Sequence, residues 1–186
     1  MRTLILNGSP HRQGDTAYLT AALAERLPGE VREVWAYAVQ AGPCVDCRSC
    51  WQQPGCALVD GMQEIYRWVE ESDCIVIASP LYFSELTGPL LTLCSRLQCL
   101  YANRRFLGMP RGPKKRGGVV LAGGGDGGPA KARDTAACLL RLMNAEPLGC
   151  AETLHTDDVP AREDGAALAQ VARLAVALAG QGESGA

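Results

Sequence analysis

Four cysteines close together in the chain are the first residues whose type and spacing could carry chemistry. Cys44, Cys47, Cys50 and Cys56 form the pattern C-x2-C-x2-C-x5-C. Thiolates bind soft metal centres, and this compact spacing suits three corners of an iron-sulfur cubane, with Cys56 as the fourth ligand beyond a Pro-Gly turn. A [4Fe-4S] cluster is thus one of three interpretations of the pattern. A four-cysteine zinc site is one alternative, and metal-free thiols packed at a subunit contact are the other.

A second group of residues has the composition of an anion-binding loop. Residues 7–16 read N-G-S-P-H-R-Q-G-D-T, follow a short apolar run, and precede leucines at helical spacing. This order predicts a strand, a loop and a helix. Unpaired N–H groups at a helix N-terminus attract phosphate, so the segment is a candidate phosphate loop, although it matches neither the P-loop nor the dinucleotide motif. The alternative is an ordinary turn followed by a helix that Asp15 or Thr16 caps.

The rest of the chain supplies alternating strands and helices to position these residues. After a first strand at 4–6, strands are predicted at 31–35, 74–78, 117–122 and 147–154, and helices near 15–27, 61–72, 87–101, 130–144 and 168–178. Residues 41–60 interrupt the pattern, and the basic segment 103–115 is predicted to be a surface connection. Such alternation predicts an α/β fold, in which a five-stranded parallel sheet is covered by helices on both faces.

Three loops are expected to meet at one edge of this sheet. Residues 9–16, 80–84 and 123–128 each follow a strand, and ligands of open parallel sheets bind beyond the carboxyl ends of the strands. The three loops should therefore converge on one ligand.

The charge and cysteine content of the chain indicate which kinds of ligand and which fold-stabilising bonds to expect. The formal net charge of the 186 residues is -2 with both signs dispersed, which favours small molecules over nucleic acid. No apolar run reaches the roughly 18 residues of a membrane span, so a cytoplasmic protein is expected. An odd number of cysteines, nine, argues against a disulfide framework. We predict one domain over residues 1–180 and a disordered tail at 181–186.

Taken in order, the motifs resemble those of the flavodoxin-like NAD(P)H-dependent FMN reductases, and in particular of their iron-sulfur flavoprotein branch. They are N-G-S-P-x-x-x-G-x-T, the cysteine pattern, A-S-P-L-Y-F, and T-G-P-L-L-x-x-x-x-R ending at Arg96. The resemblance implies a flavodoxin-like fold, with a doubly wound sheet in a three-layer α/β/α arrangement, and an FMN site. Carried over residue by residue, it places Ser9, His11, Asp15 and Thr16 at the FMN phosphate. It places Pro80, Leu81, Tyr82, Phe83 and Ser84 along the flavin ring, and Gly123, Gly124, Gly125 and Gly128 at its polar edge.

Two positions in the first loop depart from the family pattern. His11 stands where the family usually has Arg, and Asp15 stands where it usually has Asn. The histidine keeps a hydrogen-bond donor, whereas a carboxylate repels a phosphate dianion unless it turns away to cap the first helix. FMN binding weaker than in the relatives is therefore expected.

The resemblance implies an enzyme that moves electrons from NAD(P)H through FMN to a small acceptor such as a quinone or a flavin, directly or through the cluster. No side chain is assigned a catalytic role, and Tyr82 and Phe83 are expected to contact the reacting face. A homodimer or homotetramer is implied. Two alternatives remain at this stage, an FMN electron carrier that does not turn over nicotinamide, and a zinc-binding structural module whose flavin site is vestigial.

Overall fold

A five-stranded parallel sheet forms the middle layer in the computed structural model, which describes residues 1–180. The predicted disordered tail, 181–186, lies outside the described residues. The strands are β1 (Arg2–Asn7), β2 (Glu30–Trp35), β3 (Cys74–Pro80), β4 (Lys115–Gly123) and β5 (Ala145–Leu154). Their order across the sheet is β2-β1-β3-β4-β5, and every adjacent pair is parallel. The predicted α/β fold with a doubly wound sheet is confirmed.

Six helices cover the two faces of the sheet within the described residues. They are α1 (Asp15–Ala24), α2 (Met62–Glu71), α3 (Gly88–Ser95), α4 (Gln98–Leu107), α5 (Ala130–Leu142) and α6 (Gly165–Ala179). Side chains of α2, α3 and α5 pack in one core layer, and those of α1 and α6 pack in the other. Because β3 lies between both layers, Ile75 and Ile77 enter the first core and Cys74 and Val76 the second, all fully buried. Burying each large apolar side chain contributes about 1.5–3 kcal/mol.

The chain between β3 and β4 differs from the sequence prediction. Two helices, α3 and α4, replace the single helix predicted to end near residue 101, and α4 continues to Leu107 through a part predicted as surface connection. The break falls at Arg96, whose carbonyl accepts a hydrogen bond from the Tyr66 hydroxyl at 2.9 Å. The same carbonyl also accepts a hydrogen bond from the Cys99 N–H at 3.3 Å, and the Leu100 N–H bonds the Leu97 carbonyl, so i→i+3 turns replace the α-helical bonds at this point. Helix α4 ends at Gly108, whose φ of +66° suits a residue without a Cβ.

Two basic residues of the segment 103–115 have structural partners. Arg104 donates to the carbonyl of Leu142 at the end of α5, at 2.9 Å. Lys115 is buried and donates from Nζ to the carbonyls of Glu70 and Ser72 at the end of α2, at 2.9 and 2.7 Å. Cations at these positions satisfy helix carbonyls that lack intrahelical donors.

The carboxyl edge of the sheet is held together where β1 and β3 end. The Thr87 hydroxyl donates to the carbonyl of Gly8 at 2.8 Å, and the Thr87 N–H donates to Ser79 Oγ at 3.1 Å. A Cβ on Gly8 would lie 2.6 Å from Thr87 Oγ1, so this close approach requires glycine. The contacts fix the start of α3 beside the first loop, at the point where the strand order reverses.

The described helices are all too short or too polar to cross a lipid bilayer.

Candidate flavin and metal sites

The first loop leads into α1 without a side-chain cap. Gly14 occupies the N-cap position, and within residues 1–180 no side chain accepts a hydrogen bond there, so neither Asp15 nor Thr16 caps the helix. Ser9 Oγ lies 3.1 Å from both the N–H and the carbonyl oxygen of His11, and the Ser9 N–H donates to Asn7 Oδ1 at 2.8 Å. The loop is thus held by its own residues, while the first-turn N–H groups of α1 remain free for an anion.

The predicted phosphate residues differ in their surroundings. The side chains of Ser9 and Thr16 are buried, whereas His11 is exposed. Asp15 Oδ1 accepts a hydrogen bond from the Ala161 N–H at 2.7 Å. Its carboxylate therefore joins α1 to the segment after β5. The exposed Arg12 stacks over Trp35 at 4.8 Å and adds a cation to the loop.

The second loop contains a tight turn that presents aromatic side chains. Pro80 ends β3, and the Leu81 N–H donates to Ala122 O at 2.8 Å. Two backbone hydrogen bonds join Tyr82 and Glu85, while Phe83 and Ser84 adopt φ values of +56° and +61°. The left-handed region costs a residue with a Cβ about 1–2 kcal/mol.

The turn is anchored, yet the ring of Phe83 packs against no other side chain within residues 1–180. Glu85 accepts hydrogen bonds from the Leu86 N–H at 2.8 Å and from Thr135 Oγ1 at 2.9 Å. The Phe83 side chain is nevertheless 98% exposed. The fold thus maintains a strained conformation that places an aromatic ring in solvent at the carboxyl edge.

The third loop contacts the second loop and the end of β5. A Cβ on Gly127 would lie 3.0 Å from Ser84 Oγ, and one on Gly123 would lie 3.0 Å from Leu81 Cδ1. A Cβ on Gly124 would lie 2.7 Å from the carboxylate carbon of Asp157, whereas Gly125 and Gly128 border open space. The structure therefore brings the second and third loops together.

Two residues at this edge were not predicted from the sequence. Asp157 contacts Gly124 from the segment after β5, as described above. Tyr37 follows β2 and is 46% exposed, and partial desolvation together with the neighbouring Tyr82 raises the pKa of its hydroxyl. In the sequence, these two residues differ from other polar residues only in that each lies shortly after a predicted strand.

The four cysteines border a single cavity of about 490 Å³. Cys44 and Cys47 are exposed, and Cys50 and Cys56 are half-buried. Burial and the neighbouring thiols raise the pKa of Cys50, whereas hydrogen bonds from Ser49 lower that of Cys47. Across residues 1–180, no three His, Cys, Asp or Glu side chains form a preassembled metal site. The donor set suits a soft metal, but the thiols would have to draw together to bind it.

Helix α4 contributes a wall of the same cavity. Cys99 is buried there, and burial raises the pKa of its thiol to about 11. Phe106 stacks on Trp51 of the cysteine segment with ring centroids 4.2 Å apart. Asn103, with its amide oriented to satisfy both neighbours, donates to Cys50 O and accepts from the Gly55 N–H. These contacts attach the cysteine segment to the helical layer.

A buried arginine joins the two ends of the cysteine segment. Arg96 Nη1 donates to Asp60 Oδ2 at 2.7 Å and to Gly42 O at 3.1 Å. Nη2 donates to Leu58 O at 3.2 Å and to Asp60 Oδ1 at 3.3 Å. In the sequence, Arg96 is recognisable only as the last residue of the T-G-P-L-L-x-x-x-x-R motif, because no local pattern indicates that its side chain bonds Asp60, 36 residues away.

With this geometry established, comparisons with known proteins identify the family. Residues 1–154 match the family model described as NADPH-dependent FMN reductase. The chain belongs to this family. The resemblance to this family is therefore confirmed.

Similar proteins include several iron-sulfur flavoproteins. One from Archaeoglobus fulgidus is 28% identical over 154 residues, which cover 81% of this chain and 67% of the relative. One from Methanocaldococcus jannaschii is 30% identical over 129 residues, which cover 68% of this chain and 63% of the relative. The matched region spans about half to two thirds of such relatives.

Solved structures share the fold at low identity. An NAD(P)H:quinone oxidoreductase from Methanothermobacter marburgensis has a TM-score of 0.72 at 15% identity, with 100% of this chain and 98% of that chain covered. An FMN-dependent NADH-azoreductase from Bacillus anthracis in complex with FMN has a TM-score of 0.65 at 15% identity, with coverages of 96% and 100%. These similarities confirm the flavodoxin-like architecture.

Proposed function

We propose that the chain is an FMN-dependent oxidoreductase that accepts hydride from NAD(P)H and delivers electrons to a small acceptor such as a quinone or a flavin. The observation that carries the proposal is the uncapped N-terminus of α1, which lies at the switch point of a parallel sheet and follows a loop held by Ser9. When bound, FMN supplies the hydride and one-electron chemistry. The protein supplies binding, orientation and electrostatics.

Each of the three loops would bind a different part of FMN. Ser9, His11 and Thr16 lie in the loop and first turn that would bind its phosphate. Tyr82, Phe83 and Ser84 would line the ring, and the third loop would bring backbone N–H groups to its polar edge because glycine permits close approach. Asp15 is bonded to Ala161, and this bond gives its carboxylate a partner other than the phosphate.

A paired titration tests the phosphate loop. Apoprotein is titrated with FMN and with riboflavin by flavin fluorescence, and tighter binding of FMN is expected. Thr16→Val should weaken FMN binding about 10- to 100-fold, since a hydrogen bond to a charged group contributes about 1.5–3 kcal/mol, and should leave riboflavin binding unchanged. Thr20→Val is the matched control, because Thr20 is also buried in α1 but donates to Ala17 O. Equal affinity of the wild type for the two flavins would contradict the proposed loop.

Reduction kinetics test the enzymatic role. Rapid mixing of the FMN-loaded protein with NADH or NADPH should bleach the flavin absorbance within seconds with at least one donor. A protein that stays oxidised with both donors is an electron carrier, and the enzymatic part of the proposal would then be wrong.

We further propose that Cys44, Cys47, Cys50 and Cys56 bind a [4Fe-4S] cluster. The support is the donor set around one cavity, together with the similarity to proteins named iron-sulfur flavoproteins. Such a cluster would supply one-electron transfer beside the flavin. Iron and acid-labile sulfide are measured on anaerobically purified protein. Fewer than two irons per chain would refute the cluster, and bound zinc in their place would support the structural alternative.

The assembly is proposed to be a homodimer or homotetramer, as the family resemblance implies. Light scattering coupled to size-exclusion chromatography measures the number directly, and a monomeric mass would contradict it.

A further inference from the structure

One guanidinium group lies where the two ends of the cysteine segment meet. Arg96 is only 1% exposed, and its two terminal nitrogens bond Gly42 before the first cysteine and Leu58 and Asp60 after the last. The carbonyl of Arg96 is held in turn by the Tyr66 hydroxyl. This single side chain therefore sets the separation between the two ends of the loop that carries the thiols.

The remaining donor of this group has no partner. Among the described residues, Arg96 Nε is buried and makes no hydrogen bond, although an unsatisfied buried donor costs about 1–3 kcal/mol. Arg96 borders the same cavity as Cys56. A sulfur acceptor at Cys56 would satisfy the free N–H.

We propose that Arg96 is the positioning residue of the metal site: its terminal nitrogens hold the cysteine segment in place, and its Nε–H donates to the sulfur of Cys56 when the cluster is bound. The inference rests on the proposed [4Fe-4S] cluster. Hydrogen bonds to cluster sulfurs and nearby positive charge stabilise the more negative, reduced state and thereby raise the reduction potential. Arg96 thus both aids cluster binding and raises the cluster potential.

Two substitutions separate these roles. Arg96→Lys keeps the positive charge but removes the Nε–H and the forked contact. Asp60→Asn removes the acidic partner but keeps the arginine. Both should lower cluster retention against an iron chelator, by about 10- to 100-fold for Arg96→Lys, because partners that orient metal ligands typically contribute that much affinity. Arg48→Lys is the matched control at the cavity rim, since the Arg48 side chain bonds the exposed Asp46 and stacks on Trp51.

The cluster potential, followed by electron paramagnetic resonance during a redox titration, distinguishes donation from support. It should fall in Arg96→Lys, where a sulfur loses its donor, and rise in Asp60→Asn, where a nearby negative charge is removed. Shifts in the same direction would overturn the donation to sulfur, because loosening of the loop alone affects both variants alike. A wild-type potential and wild-type retention in Arg96→Lys would overturn the whole inference.

Wild-type protein supplies a measurement that does not depend on the folding of a variant. Labelling of arginine with ¹⁵N at Nε should give hyperfine coupling to the reduced cluster in pulsed electron paramagnetic resonance, and an absence of coupling would refute the hydrogen bond. FMN content, measured on every sample, reports the folded domain. A wild-type protein with FMN and no iron would refute the proposed cluster itself, an outcome distinct from a loaded cluster that shows no coupling to Arg96.

Discussion

Gly8→Ala is expected to destabilise the protein by about 1.5–4.5 kcal/mol, because two immobile neighbours occupy the space that the new methyl group needs. Its Cβ would lie 2.6 Å from Thr87 Oγ1 and 2.9 Å from Leu90 Cβ, whereas ordinary van der Waals contact begins at 3.4 Å. Thr87 would have to move by about 0.8 Å, and both neighbours are fully buried. Overpacking costs about 1–3 kcal/mol, and weakening the Thr87 to Gly8 hydrogen bond adds about 0.5–1.5 kcal/mol.

Urea unfolding of the FMN-free protein measures this change without a ligand contribution. Gly88→Ala is the matched control one residue after Thr87. Its Cβ meets nothing within 4 Å, and alanine is favoured over glycine in a helix, so this variant should be as stable as the wild type or up to about 1 kcal/mol more stable. If Gly8→Ala also unfolds within about 0.5 kcal/mol of the wild type, a range typical of neutral surface substitutions, the close packing argued for the carboxyl edge is wrong.

Three further predictions concern strain, burial and pH. Phe83→Asn should stabilise the FMN-free protein by about 0.5–1 kcal/mol in urea, since asparagine tolerates positive φ, and should slow flavin reduction if the ring contacts FMN; a loss of stability would show that the exposed ring is not strained. Lys115→Met should cost about 1.5–3 kcal/mol, because it leaves the carbonyls of Glu70 and Ser72 without their donor; the same unfolding assay would disprove this with a midpoint equal to that of the wild type. The hydrogen bond from Arg96 lowers the pKa of Asp60, so the stabilisation it provides is present above about pH 4 and is lost as pH falls through the folded-state pKa. The stability difference between wild type and Asp60→Asn should therefore shrink in acid, and a constant difference from pH 6 to pH 3 would contradict the assignment.

Much of the fold could be read from local patterns. The apolar run at 74–78 predicted a central strand, and β3 is buried on both faces, because a strand covered by two helical layers has no polar side. The loops after β1, β3 and β4 could be assigned to one edge, since parallel strands all end on the same side of a sheet.

Features that depend on contacts distant in sequence could not be predicted this way. The helix predicted for 87–101 breaks at Arg96, where i→i+3 turns replace the α-helical bonds and the hydroxyl of Tyr66, 30 residues earlier, also bonds the Arg96 carbonyl. The sequence placed the carboxylate of Asp15 beside a phosphate dianion. In the structure this carboxylate accepts a hydrogen bond from the N–H of Ala161, 146 residues later. A hydrophobic periodicity involves only residues near one another in the chain, so it cannot indicate hydrogen-bond partners this far apart.

For this protein, the sequence by itself determined the alternation of strands and helices, the position of the glycine-rich loops at strand ends, and the grouping of the four thiols, because each depends on residues near one another in the chain. Only the tertiary structure decided that α1 begins without a side-chain cap, that Phe83 stands strained and exposed, and that Arg96 joins both ends of the cysteine segment. These features depend on which backbone groups already have partners, and partners are set by packing across the whole fold.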